Sequence, residues 1–535
     1  MPPEPGLRGR WGGRRRSRGG GGGPNNSRPA AAVRCAQGGP SFAAPTNNKP
    51  MAPRAALLLA ALALLLAAAP GAADTGVFQV RRKFPAGGDA GGNITALRAH
   101  DGRRHGRLLA AADLKLGGLG LPTDTGLYFT EINLGTPPKH YFLQVDTGSD
   151  ILWVNCITCD QCPRKSGLGL DLTLYDPKAS SSGSTVLCDQ EFCAATYGGK
   201  LPRCSSNVPC EYKVMYGDGS STTGFFVTDA LQFDQVTGDG QTKPGNASVT
   251  FGCGAQQGGD LGTSNQALDG IIGFGQANTS MLSQLAAAGK VKKVFAHCLD
   301  IVQGGGIFAI GNVVQPKVKT TPLVPDMPHY NVNLKSVDVD GTTLQLPAHI
   351  FETGDKKGTI IDSGTTLTYL PELVFKEVML AVFKKHQDIG FHNVQEFLCF
   401  EYSGSVDDGF PTITFHFEDD LALHVYPHEY FFANGQNDMY CMGFQNGGSQ
   451  SKDGKDIVLM GDLVLSNKLV VYDLENQVIG WTDYNCSSSI KVKDDKTGAT
   501  YTVNSHDISS SGWRFRWNKT LVLLLVIVVS SYLIC

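Results

Sequence analysis

The chain has 535 residues, only 18% of them charged, with 65 glycines and a net charge of −3. That length exceeds what one hydrophobic core serves and implies two lobes with processed ends; low charge, abundant glycine and the lack of a long helical period exclude a coiled coil or a wholly disordered chain and suit a β-rich globular protein. About +8 in residues 1–50, +1 at Arg54, +4 in 74–119 and +3 in 511–535 leave about −19 for the central body, an acidic surface that repels phosphate backbones and excludes nucleic acid as a partner.

Residues 1–50 are rich in Gly, Pro and Arg, with the run Gly19–Gly23 and the cluster Arg14–Arg16. Such a segment cannot bury a core, and it is expected to be a disordered extension upstream of the true start at Met51. Residues 51–73 have the layout of a secretory signal peptide: Arg54 as the charged flank, an apolar run from Ala55 to Ala69, and the small residues Gly71 and Ala73 at the cleavage positions. Residues 74–120 are basic, with Arg81, Arg82, Lys83, Arg103, Arg104 and Arg107. A basic segment ahead of an acidic body is expected to be a propeptide held by charge, loosened when acid protonates the body's carboxylates; a flexible stalk is the plainer alternative. None of these basic pairs by itself tells where the cut falls.

From Leu127 short alternating apolar stretches appear, such as Tyr128–Leu134, Tyr141–Val145 and Ile151–Val154, separated by Gly, Pro and Asn. The pattern runs to about Asp483 and predicts an all-β body of stacked sheets, with an N-terminal lobe over 121–315 and a C-terminal lobe over 316–487. Thr279–Ala287 and Pro371–Lys385 are the best helical segments. Residues 488–510 are polar and predict a tether. The tail Leu521–Cys535 is apolar but shorter than the roughly 20 residues that span a bilayer, and no basic residue follows it. Small residues (Ser509, Ser510, Ser511, Gly512), a spacer with Arg514, Arg516 and Lys519, and an apolar end form a signal for a glycosylphosphatidylinositol (GPI) anchor over 511–535, with the tail removed. A short single-pass anchor is the alternative. The expected location is the extracellular face of the plasma membrane. Glycosylation sequons stand at Asn93, Asn246, Asn278 and Asn485.

Of 14 cysteines, Cys35 and Cys535 fall in the ends expected to be absent from the mature protein. The other twelve, Cys156 to Cys486, imply disulfides formed in an oxidising compartment. The spacing in the Cys156–Cys162 cluster would also suit zinc thiolates; the secretory signal and the even count favour disulfides.

Two segments repeat one plan. Phe142–Ser149 (FLQVDTGS) and Gly358–Thr365 (GTIIDSGT) are each an apolar strand ending in Asp, then a small hydroxyl residue, Gly and a hydroxyl residue. Each is followed later by an apolar stretch ending in Gly: Gly270–Gly273 after Asp146, and Val458–Gly461 after Asp362. One such motif is only a good turn. Two in one chain predict two carboxylates brought face to face. Such a pair cannot ionise fully at low cost, so it holds one proton between them, and can take a proton from water while giving one to a carbonyl. No cofactor, metal or covalent intermediate is needed. Gly148 and Gly364 let the backbones approach; Ser149 and Thr365 can orient the carboxylates; Thr147 and Ser363 can brace the opposite loop. Asp462, beside the second Gly-ending stretch, reads as structural, and His297 next to Cys298 lacks the surroundings of a thiol nucleophile.

These motifs, with Trp153 and Tyr216–Ser220 (YGDGS), resemble the pepsin family of aspartic endopeptidases over about Leu127 to Asp483. The cysteine-dense stretch Cys156–Cys210 and the GPI-like tail resemble its plant nucellin- and nepenthesin-like branch. The resemblance implies a bilobal β fold, an active-site cleft between lobes with Asp146 and Asp362 as catalytic residues, and a flap formed around Tyr216, Gly217, Asp218 and Gly219, its tyrosine bonded to Trp153. It implies protein or peptide substrates and a monomer. Cys399 and Cys441 are expected to pair, and the rest to pair within Cys156–Cys486. Asp218 stands where animal members carry a small hydroxyl residue. The rival expectation is a non-catalytic binding protein of the cell surface on the same fold.

Overall fold

The computed structural model describes residues 110–508 apart from 124–125, 160, 200, 202–203, 263–265, 355–356, 436–437, 451–455 and 496. The segments expected to be an upstream extension, a signal peptide and an anchor signal, and most of the expected propeptide, lie outside the described residues. Strands dominate and helices are few and short.

The apolar stretches become strands because their side chains alternate between a buried and a solvated face. Leu127–Leu134 and Lys139–Asp146 form a hairpin in register from Phe129 against Gln144 to Leu134 against Lys139. They belong to a 15-stranded sheet that winds through both halves of the sequence. Within it Val294–Leu299 pairs with Lys468–Asp473, so the two lobes share a continuous hydrogen-bonded seam. The second lobe adds sheets around Lys357–Ile361, Leu334–Val339 and Phe397–Glu401. Both predicted helices form: Met281–Ala287, whose N-cap Ser280 accepts from Ser283 N, and Glu372–Val382, which starts after Pro371.

The internal repeat is structural as well as sequential. In the first half Lys139–Asp146 runs parallel to Gly270–Gly273, placing Asp146 opposite Gly273, and Trp153–Asn155 runs antiparallel on the other side. In the second half Lys357–Ile361 runs parallel to Asp456–Met460, and Thr368–Leu370 lies antiparallel beyond it. Each Asp therefore leaves the end of a strand flanked by the apolar, Gly-ending one.

Two expected boundaries meet a different arrangement. The end of the expected propeptide forms strands Ala112–Asp113 and Leu116–Leu119, both built into the large sheet. The expected tether instead folds: Ser489–Lys493 and Thr500–Asn504 form a hairpin that pairs with Asn312–Gln315. Its polar composition conceals a period of two, since Ile490, Val492 and Val503 all point into a buried cluster with Cys298 and Cys486.

Candidate active site

The two Asp loops meet at the contact between the halves. Each carboxylate is held by its own loop: Gly148 N donates to Asp146 Oδ1 at 2.8 Å, and Gly364 N donates to Asp362 Oδ1 at 2.8 Å. Ser149 Oγ donates to Asp146 Oδ2, and Thr365 Oγ1 to Asp362 Oδ2 at 2.7 Å. The pairing predicted from the repeat is therefore matched bond for bond. Each glycine is pressed against the opposite acid. A Cβ on Gly148 would lie 2.6 Å from Asp362 Oδ2, and one on Gly364 would lie 1.9 Å from Asp146 Oδ1. Only a residue without a side chain fits either place.

The bracing hydroxyls do not act alike. Thr147 Oγ1 accepts from Ser363 N at 2.8 Å. Ser363 Oγ is buried and has no hydrogen-bond partner among the described residues. The expected brace from Ser363 is thus absent, and support comes instead from below. The Tyr472 hydroxyl hydrogen-bonds Thr147, and His297 Nε2 lies 3.1 Å from that hydroxyl. His297 is fully buried, and desolvation pushes its imidazole down to about 3, so it stays neutral.

The electrostatics fit a shared proton. Burial, and then the charge of Asp362, push Asp146 up to about 7. Burial also raises Asp362, opposed by its hydrogen bonds from Thr365 and Gly364 and by His329. Behind them Asp462 is 2% exposed, and its Oδ1 has no partner among the described residues. Burial first, then Asp362 and Asp146, raise it far above the carboxylate range, which keeps it uncharged.

Tyr216 sits at the turn between Glu211–Met215 and Ser221–Gly238. Trp153 Nε1 donates to its hydroxyl at 2.7 Å, as expected. Gly219 has φ +86, a left-handed turn, and Asp218 Oδ1 accepts from Ser220 N at 2.8 Å. Gly217, Asp218 and Gly219 are exposed. Asp218 thus caps its own hairpin, a task that a small hydroxyl residue could share.

Sequence spacing missed His329 and Asp150. Gln276 Nε2 donates to His329 O at 2.7 Å, and Tyr330 donates to Phe274 O at 2.5 Å, which lays this segment on the loop after Gly275. Asp150 Oδ1 accepts from Ala277 N at 2.8 Å in the same loop. His329 acts electrostatically on both Asp150 and Asp362. No motif surrounds it; the fold brings it there.

All twelve central cysteines pair: Cys156–Cys253, Cys159–Cys162, Cys188–Cys204, Cys193–Cys210, Cys298–Cys486 and the expected Cys399–Cys441. Among the described residues no cluster of His, Cys, Asp and Glu could hold a metal. Asn246, Asn278 and Asn485 are exposed. The sequon hydroxyl of Ser280 is buried as a helix cap, and Asn485 Oδ1 accepts from Ser487 N at 3.1 Å. Asn93 and the anchor candidates Ser509, Ser510, Ser511 and Gly512 lie outside the described residues.

Residues 128–312 match the family described as Xylanase inhibitor N-terminal, and 329–483 its partner, Xylanase inhibitor C-terminal. Aspartic proteinase 36 of Arabidopsis thaliana is 51% identical over 454 residues, covering 85% of this chain and 92% of the relative. Aspartic proteinase 39 of the same plant is 49% identical, covering 85% and 94%. Aspartic proteinase nepenthesin-1 of Nepenthes gracilis is 30% identical, covering 68% and 79%. Among solved structures, edgp aligns with a TM-score of 0.56 at 21% identity, over 70% of this chain and 95% of that one, a likeness of fold.

Proposed function

The chain belongs to the plant pepsin-type aspartic proteinases, and from that membership we propose that it is an aspartic endopeptidase in which Asp146 and Asp362 hold one proton between them and activate a water. The observation that carries this is the mutual clamp of the two loops, each glycine packed on the other loop's carboxylate. With one acid ionised, the pair takes a proton from water while the protonated partner gives one to the scissile carbonyl oxygen. The tetrahedral intermediate then collapses as a proton passes to the leaving nitrogen. Ser149 and Thr365 keep the outer oxygens oriented, and Tyr216, held by Trp153, closes over the substrate.

Asp146→Asn or Asp362→Asn, each nearly isosteric, is expected to remove cleavage of a denatured protein substrate at acid pH by at least about 10³-fold while secretion is kept. Cleavage at the wild-type rate by either variant would end this assignment. The description of the matching family also suits a binding protein on the same fold. A wild-type protein that is secreted and folded but cleaves nothing would select that reading.

Around this core we read residues 51–73 as the signal peptide and the basic segment after it as the propeptide. Asn93, Asn246, Asn278 and Asn485 are candidate glycan sites, and a GPI anchor is attached within Ser509–Gly512. The enzyme would then act as a monomer on proteins or peptides outside the plasma membrane. Its acidic body disfavours nucleic acid. Release from intact cells by a phosphatidylinositol-specific phospholipase supports the anchor; recovery of the apolar tail in the mature protein refutes it.

A further inference from the structure

The stretch from Ala112 to Leu119 enters the largest sheet twice: Ala112–Asp113 lies inside it, and Leu116–Leu119 forms its terminal strand. Ala112 and Asp113 pair on one side with Ile310 and Ala309, and on the other with Gln235 and Asp234. Among the described strands they are the link between Gly306–Ile310 and Ser221–Gly238. Leu116–Leu119 then pairs with Leu127–Leu134. Ala112 and Leu116 are fully buried, Leu114 nearly so, and Leu114 N donates to Phe308 O at 2.9 Å.

The last described residues close over this strand. From Cys486, bonded to Cys298, the chain passes through the hairpin to His506. His506 and Gly306 exchange backbone hydrogen bonds of 2.7 and 2.8 Å, and Ile508 N donates to Leu116 O at 3.0 Å. His506 Nε2 lies 2.9 Å from Oδ2 of the buried Asp113. The receiving turn fits this contact. Gly305 has φ +66, and a Cβ there would fall 2.1 Å from His506 O.

We propose that Ala112–Leu119 is a permanent part of the mature enzyme, locked in place by residues 505–508, and that maturation removes only what precedes Ala110. The existence of a maturation cut rests on the zymogen reading above; the lock does not. Loss of residues 110–120 would uncover the facing edges of two strands, leaving their N–H and C=O groups unpaired, and would empty the space filled by Ala112, Leu114 and Leu116. A replacement is not at hand. A cut at 120 leaves six residues, Leu121–Gly126, before the strand Leu127–Leu134, drawn into a turn by Gly126 N donating to Leu121 O at 3.1 Å. Six residues cannot refill eight. The cut itself is ordinary hydrolysis: the hydroxyl of one water completes the new carboxyl group and its remaining proton goes to the new amino group.

The full chain, secreted and then activated in acid, tests this by N-terminal sequencing and intact mass. The expected N-terminus falls at or before Ala110 in every molecule; one at any later residue overturns the proposal. A chain that is never cut removes the zymogen reading and leaves the lock to a second measurement. Limited trypsin digestion after the exposed Lys115 needs this strand to open, so it is expected to run about tenfold faster in His506→Ala than in wild type. Asp113→Asn, which keeps the side chain's shape, is expected to move the same way and serves if His506→Ala is not secreted. Digestion at the wild-type rate in a folded variant removes the lock.

Discussion

Asp146 and Asp362 have mirrored hydrogen bonds but unlike fields. Burial raises both acids most; at Asp362 the hydrogen bonds from Thr365 and Gly364 and the field of His329 act against it, whereas at Asp146 the charge of Asp362 adds to it. The pair titrates as a unit, and the effect of His329 enters it on the Asp362 side. Replacing the imidazole with an uncharged ring removes the effect that lowers Asp362, so its affinity for a proton rises. In His329→Phe the acid limb of the kcat/KM profile, where the remaining carboxylate gains its proton, is expected to move up by about 0.5–1 pH unit. A limb that stays in place in a folded, secreted variant would show that His329 does not face the pair. The two acids were legible because the loops repeat one sequence plan. His329 was not, because it follows Pro328 in a stretch with no motif, and its effect depends on Gln276 and Tyr330 fastening that stretch to the other lobe.

The flap hairpin is fastened at both ends. At its tip Trp153 holds Tyr216. At its base Cys193–Cys210 ties the first strand to the short helix Glu191–Thr196, and Phe192 packs edge-on against Phe226, ring centroids 5.1 Å apart. Trp153→Phe keeps most of the buried ring and deletes one hydrogen bond. A bond worth about 1 kcal/mol in positioning Tyr216 would cost roughly fivefold in kcat/KM, with little change in Tm. Equal loss of stability and activity would instead mark Trp153 as core packing. The hairpin was legible from YGDGS because Gly and Asp at those positions have a turn to make. The C-terminal hairpin was not: its apolar side chains are spread among lysines and aspartates, and its partner strand, Asn312–Gln315, lies far back in the chain.

The fold keeps several acids out of water at once. Burial raises Asp146 to about 7 and Asp269 to about 7, and raises Asp462 well above the ordinary carboxylate range. A carboxyl with a raised value binds its proton more tightly folded than unfolded. Its contribution to stability is therefore complete below about pH 4 and is lost as pH rises toward about 7. Tm is expected to be higher by roughly 5 °C or more at about pH 4.5 than at about pH 7.5, as calorimetry across that range can measure; a Tm that rises with pH would contradict it. Local chemistry written in adjacent residues was readable without coordinates: strands from alternation, turns from glycine, a carboxylate pair from a duplicated loop. Long-range placement was not readable, because it depends on which surfaces bury one another. That is why the insertion of Ala112–Asp113 between two strands of the large sheet, the clasp of His506 on Asp113, and the effect of His329 on Asp362 became visible only in three dimensions.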